Sequence, residues 1–148
     1  MGVAVYKILG IDSTKMNLSL ASTWQQRRRH ASEVASDTLE EAVREIKEEN
    51  FKVFVHFDEV EVTQDMDGIK EKKTRMVILL SSPAMAVGEQ LLCVLPMEDK
   101  SGAAIADTIY FTLVEHGLED SVMGIVADTT AANFGQYSGA MTLLQVLL

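Results

Sequence analysis

The chain has 148 residues, 47% of them hydrophobic, and a formal net charge of −9. That length suits one compact domain and is short for two. A single cysteine, Cys93, excludes an internal disulfide framework and a Cys-rich zinc site; no apolar run reaches the roughly 18 residues of a membrane span, and the acidic balance argues against a surface that coats nucleic acid broadly.

The first stretch with a pattern is "KILGIDSTKMNLSLAS", Lys7 to Ser22. An apolar run, Asp12, a short polar turn and a second alternating run are how a phosphotransfer domain can begin. A phosphate-binding hairpin wants glycine in its turn so that the backbone can approach closely, and "DSTKMN" has none. Asp12 is therefore read as a decoy. Ser22 and Gln25 have capping-box spacing and predict a helix start, running through "TWQQRRRHASEVA". From Ser32 to Glu49 the apolar positions Val34, Ala35, Leu39, Ala42, Val43 and Ile46 recur in steps of three and four, a helical stripe, with Glu40 and Arg44 as an i,i+4 pair.

The period changes at Phe51. "FKVFVHFDEVEV" alternates, with Phe51, Val53, Val55 and Phe57 on one face, and predicts a strand. The polar stretch "TQDMDGIKEKK" predicts a turn centred on Asp67-Gly68. "TRMVILLSS" is a continuous apolar run, hence a buried strand closed by Pro83, and "EQLLCVLPM" is a third strand stopped by Pro96. "SGAAIADTIYFTLVEHG" has helical steps at Ala104, Ile105, Thr108, Ile109, Leu113 and Val114, with Gly117 ending the helix. "SVMGIVADTT" is a fourth, mostly apolar strand, and "TAANFGQYSGAMTLLQVLL" begins as a loop and ends as an apolar helix. The expected division is residues 1–50 as an N-terminal helical segment and 51–148 as an α/β core. Three antiparallel strands, a helix and a parallel fourth strand make the first half of a ribonuclease H-like mixed sheet.

Metal-dependent phosphodiester chemistry needs carboxylates brought together from separate parts of a chain, to hold divalent ions that activate a water or hydroxyl and stabilise the leaving oxygen. In this topology the first acid lies on the first strand and the second at the end of the adjacent fourth. Asp58 and Asp128 occupy those places, each closing an apolar run, "VFVHFD" and "MGIVAD". The alternative reading of Asp58 is a solvated residue on a half-exposed strand. That of Asp128 is a helix N-cap or Asx-turn, because "DTTAAN" is good capping chemistry.

The block "VADTTAANFGQYSGAMTLLQ" resembles that of hAT-like transposase-derived proteins, in which a strand ends in Asp-Thr-Thr followed by Asn, Gly and a small-residue turn. "VHFDEVEV" resembles the strand carrying that group's first acid, and the elements between fall in the expected order, so the resemblance spans about Phe51 to Leu148. It implies a ribonuclease H-like fold, Asp58 and Asp128 as catalytic and metal-binding acids, Mg²⁺ or Mn²⁺ as a weakly held cofactor, and DNA as a weakly bound partner. Thr129, Thr130, Asn133 and Gly135 match the loop after the second acid. Glu59 and Val60 stand where the family often has Gly and a basic residue. The family's third acid lies far downstream, beyond a long helical insertion, and an amino-terminal zinc-binding DNA module is usual. The sequence ends at Leu148, ahead of that acid, so the expectation is a truncated core without strand-cutting activity. A rival reading is an interaction or regulatory module that keeps the fold and uses an exposed sheet edge to bind a protein partner or a second copy of itself. A third is an actin-like ATPase fragment, which would revive Asp12.

Arg27, Arg28 and Arg29, with Trp24, are candidate nucleic-acid contacts through phosphate binding and base stacking, against the plainer reading of a solvated helix face with Trp24 in the core. Lys72 and Lys73, with Lys70 and Arg75 beside the predicted turn, are further candidates, against a solubilising strand end. His56 shares a strand face with Asp58, and a hydrogen-bonded histidine is the more common reading than a ligand. His30 and His116 read as surface or helix-end residues, and Cys93 as packing. Glu59, Glu61, Asp65 and Asp67 lack the closing ligand of a calcium loop. With no signal pattern at the N-terminus and one cysteine, an intracellular location is expected, nuclear if the transposase ancestry holds.

Overall fold

The computed structural model describes residues 20–66, 69–86 and 88–148; the side chains of 20–24, 26, 64–66 and 69 fall outside this description. Asp12, the Lys7–Ile11 run and the Asp67-Gly68 turn centre therefore lie outside the described residues, as does the side chain of Trp24. The elements in chain order are α1 (Leu20–Glu48), β1 (Val53–Met66), β2 (Ile69–Ser81), β3 (Glu89–Pro96), α2 (Gly102–His116), a 3₁₀ turn (Glu119–Ser121), β4 (Val122–Val126), α3 (Ala131–Phe134) and α4 (Ala140–Leu147). Two compact units, Met1–Thr38 and Leu39–Leu148, divide within α1.

In the first unit the described residues are helical, and Arg27, Arg28 and Arg29 are all exposed. Leu20 and Ala21 are already helical, so Ser22 and Gln25 lie within α1 and Ser22 does not stand at the expected helix start. Good helix formers such as Leu20 and Ala21 carry the helix past that signal.

The second unit is a mixed α/β structure. Its four-stranded sheet has the order β3-β2-β1-β4. β1–β2 and β2–β3 are antiparallel, while β4 lies parallel to β1, as the element order predicts. Alternation explains the buried face: Val53, Val55 and Phe57 of β1 and Met76, Ile78 and Leu80 of β2 point inward. Against them pack Ala42 and Ile46 of α1, Ile105, Ile109 and Leu113 of α2, and Ala140 and Leu144 of α4. Burying each such large aliphatic side chain contributes about 1.5–3 kcal/mol before the entropy of ordering is subtracted. At β3 the register shifts between Ile78 and Leu79, and Leu92 is buried beside that irregularity. The other face of the sheet, carrying Val60, Val62, Leu91, Val94 and Val126, is 39–48% exposed at these positions.

The polar stretch read as a turn is mostly strand. β1 runs on to Met66 and β2 resumes at Ile69, whereas β3 pairs only from Arg75 onward and β4 pairs only with Val53–His56. The result is a two-stranded ribbon beyond the sheet. Such a ribbon is solvated on both faces, so charged residues suit it, and its composition mimics a loop.

Helix α2 shows how local chemistry sets an element's ends. Ser101 is its N-cap, with Oγ accepting from Ala104 N at 3.3 Å. Gly117 ends it in the left-handed region, φ 62°, with Gly117 N donating to Val114 O and Leu118 N to Leu113 O, both at 2.9 Å. Val114, expected in the buried stripe, is 40% exposed; Ala106 and Thr112 are buried. Among the described residues no helix is long and apolar enough to cross a membrane.

Candidate functional site

β4 ends at Val126, opposite His56, and the chain then turns away to α3. β1 continues alone on that side. The divergence opens a crevice at the carboxyl end of β4, beside the middle of β1, where the parallel pairing stops. The crevice has a volume of about 400 Å³ and is lined by Phe57, Asp58, Glu59, Lys100, Asp128, Thr130, Ala132 and Asn133. Asp58 and Asp128, distant in sequence, therefore line one cavity.

Each acid is held in a particular way. Asp58 is exposed, and its Oδ1 accepts from Glu59 N at 2.8 Å. Asp128 is also exposed, but it is not the N-cap of α3. Thr130 holds that position and makes no side-chain cap bond. Asp128 instead accepts from the side chain of Asn133, whose Nδ2 donates to Asp128 Oδ1 and, at 3.4 Å, to the Asp128 main-chain oxygen. The capping reading of Asp128 is thus replaced by a side-chain partner that lies deeper in the protein. Lys100 Nζ pairs with Glu59 Oε2 at 3.6 Å across the same crevice.

The remaining sequence candidates lie elsewhere. His56 Nε2 and Ser81 Oγ are hydrogen bonded at 2.7 Å, which fits the plainer reading of that histidine. His116 Nδ1 sits 2.9 Å from Thr112 O at the end of α2. Lys72 pairs with Glu61 at 3.3 Å and Lys73 with Glu71 at 3.2 Å, so a neighbouring acid offsets each of these two ribbon lysines. Arg27, Arg28 and Arg29 are consecutive on a helix. Successive residues diverge by about 100°, so the three fan around α1 instead of forming one stripe. Lys100 carried no sequence signal, because it precedes an N-cap and belongs to no periodic run.

Cys93 is half-buried on β3. Burial pushes its thiol above the ordinary value, outweighing a hydrogen bond with Thr112 that lowers it, and nearby Glu115 pushes it up further. The folded protein therefore holds this proton more tightly than the unfolded chain. The associated stability is present below the unfolded thiol's pKa and is lost as pH rises toward the folded value. Cys93 in the native protein is expected to react with a disulfide reagent at pH 8 several-fold more slowly than the urea-unfolded chain. Equal rates in the two states would contradict the placement of Cys93.

As for what the site can hold, the crevice carries the carboxylates of Asp58, Glu59 and Asp128, Glu59 being paired with Lys100. All are hard oxygens, which suit Mg²⁺ or Mn²⁺. Among the described residues, no group of three or more His, Cys, Asp or Glu is placed to hold a metal ion. The residues fit a weakly bound cation that keeps most of its water. No family model matches the chain, and no curated protein is significantly similar to it.

Proposed function

We propose that this chain is a ribonuclease H-like core of hAT-like, transposase-derived origin, in which Asp58 and Asp128 bind a divalent cation and whose ancestral chemistry is phosphoryl transfer on DNA. The observation that carries this reading is the meeting of Asp58 and Asp128 in one crevice, where the only parallel strand pairing among the described residues ends. The strand order β3-β2-β1-β4 supports it. So does the Asp-Thr-Thr block that begins at Asp128.

A bound divalent cation supplies activation of an attacking hydroxyl and stabilisation of the leaving oxygen. The chain's own contributions are separate from that. Asp58 and Asp128 give the negative charge that attracts the cation. Lys100, paired with the partly exposed Glu59, is the crevice's positive group and would offer its charge to a phosphate oxygen. Two carboxylates are few for a phosphoryl-transfer centre, so this chain binds a cation weakly and does not cut DNA by itself.

Isothermal calorimetry with Mn²⁺ tests the reading. The wild type is expected to bind with a Kd of about 10⁻⁴–10⁻³ M, the range of weak oxygen-donor sites. The Asp58→Asn/Asp128→Asn variant is expected to lose at least ~10-fold in affinity, about 1.4 kcal/mol. Identical binding in both would remove the pair from consideration as a metal site. A chain that ignores Mn²⁺ and forms a stable dimer would instead be the interaction module, built on the open edge of β4.

A further inference from the structure

Asn133 is only 6% exposed, and it is the best-buried polar side chain lining the crevice. Its amide nitrogen is spent on Asp128, through both the side-chain and main-chain oxygens. Its carbonyl oxygen is buried with no hydrogen-bond partner. A buried, unsatisfied acceptor costs about 1–3 kcal/mol. Turning the amide over would not help, since the carbonyl would then face a carboxylate and the amino group would become the orphan. The orientation of Asn133 follows from Asp128 and not from its own needs.

An exposed aspartate needs no such anchor, because water solvates it. If the loop only had to be capped, Asp128 could do so from the N-cap position, and it does not. A buried amide committed to an exposed carboxylate is the arrangement by which a supporting residue orients a ligand group.

We propose that Asn133 is a positioning residue: it fixes the Asp128 carboxylate toward the crevice so that Asp128 and Asp58 can serve one divalent cation. This rests on the reading of the pair as a cation site. The surrounding charged groups, Asp58, Glu59 and Lys100, line the same crevice and reach it from β1 and the segment before α2.

The test is Asn133→Leu in the full chain, with Asn133→Ala beside it and Mn²⁺ as the probe. Leucine has nearly the same shape and carries no polar atoms. The Asp128 carboxylate left without its partner is exposed and water can solvate it, so the one-sided loss carries little penalty and the orphaned amide oxygen is removed as well. Asn133→Leu is therefore expected to keep or raise the unfolding temperature while weakening Mn²⁺ binding about 10-fold or more, the usual cost of losing a group that orients a ligand. A purely structural asparagine gives the opposite result: a lower unfolding temperature in Asn133→Leu and an unchanged Kd, which would overturn the proposal. Should the leucine variant fail to fold, Asn133→Ala is read by the Kd of its folded fraction, where wild-type affinity again overturns it. Asp58→Asn/Asp128→Asn separates the two levels. If that variant loses Mn²⁺ while the Asn133 variants keep wild-type affinity, only the positioning role falls. If that variant binds like the wild type, the cation site itself falls and the positioning role falls with it.

Discussion

Replacing Gly102 with alanine is expected to lower the unfolding temperature by about 10 °C and to disorder the crevice. In an open helix this change usually raises stability by about 0.5–1 kcal/mol, since glycine loses more freedom on folding. Gly102 is the first residue of α2, and the segment that carries Asn133 presses directly on it. A Cβ at Gly102 would lie 2.7 Å from Ala132 O and 2.9 Å from Ala140 N, and closer still to Ser138 O. All three are backbone atoms, so no side chain can swing aside. Either α2 or the segment from Ala131 to Ala140 must move. Overpacking of this kind costs about 1–3 kcal/mol. For a domain near 100 residues, 1 kcal/mol corresponds to about 4–8 °C. Because the displaced segment holds Asn133, and through it Asp128, Mn²⁺ affinity is expected to fall in the same variant. Ala103→Ser, one residue along and exposed, is the control and is expected to change stability by no more than about 0.5 kcal/mol. Thermal unfolding of the two variants checks this. A Gly102→Ala protein that unfolds at or above the wild-type temperature would contradict the packing of α2 on that segment.

The second large effect is the absence of DNA cleavage. The chain is expected to leave supercoiled plasmid intact with Mg²⁺ or Mn²⁺. Phosphoryl transfer needs the attacking and leaving oxygens both held on well-placed ions. Of the three carboxylates in the crevice Glu59 is paired with Lys100; Asp58 and Asp128 alone set an ion's position loosely, and errors near 1 Å cost about 10²-fold in rate. Electrostatics works in the same direction. DNA must approach a chain with a formal net charge of −9. Lys72 and Lys73 meet it already paired with Glu61 and Glu71, whose negative charges offset theirs. Any DNA binding is therefore expected to be weak and to fall steeply with salt. The assay is plasmid relaxation by wild type and by Asp128→Asn. Metal-dependent relaxation by the wild type that the variant lacks would show an active nuclease and overturn this expectation.

How far the residues announced the fold differs from element to element. β1 was legible because Val53, Val55 and Phe57 alternate with polar residues on a strand with one buried face. β2 was legible as a strand but not as half-exposed. Its run from Met76 to Leu80 is apolar throughout, the pattern of a strand covered on both faces, yet Val77 and Leu79 are only partly buried. The ribbon was hidden because Lys70, Glu71 and Lys72 read as loop residues, and only pairing across two strands makes them strand. Helix α1 outran its capping signal for a similar reason, since a spacing of two residues is weak against a continuous run of helix formers.

The crevice divides in the same way. Asp58 and Asp128 could be picked out because each closes an apolar run; Asp128 does follow the end of β4, but Asp58 lies within β1, which runs on to Met66 and does not end there as expected. Asn133 was noticed only through its place in the Asp-Thr-Thr block, and nothing in that block says that it is buried or that its amide serves Asp128. Lys100 had no signal at all. Its place in the crevice comes from the packing of α2 against the segment after β4, and proximity of that kind is not written in any local pattern.

The most direct measurement of the central claim is paramagnetic broadening by Mn²⁺ in ¹⁵N-labelled full-length chain. At substoichiometric Mn²⁺, the amides of residues 57–59 and 127–133 are expected to broaden first and together, and Asp58→Asn is expected to suppress the effect at both segments. Broadening that starts among the acidic residues of the ribbon, that touches only one of the two segments, or that persists unchanged in Asp58→Asn would show that Asp58 and Asp128 do not share a cation.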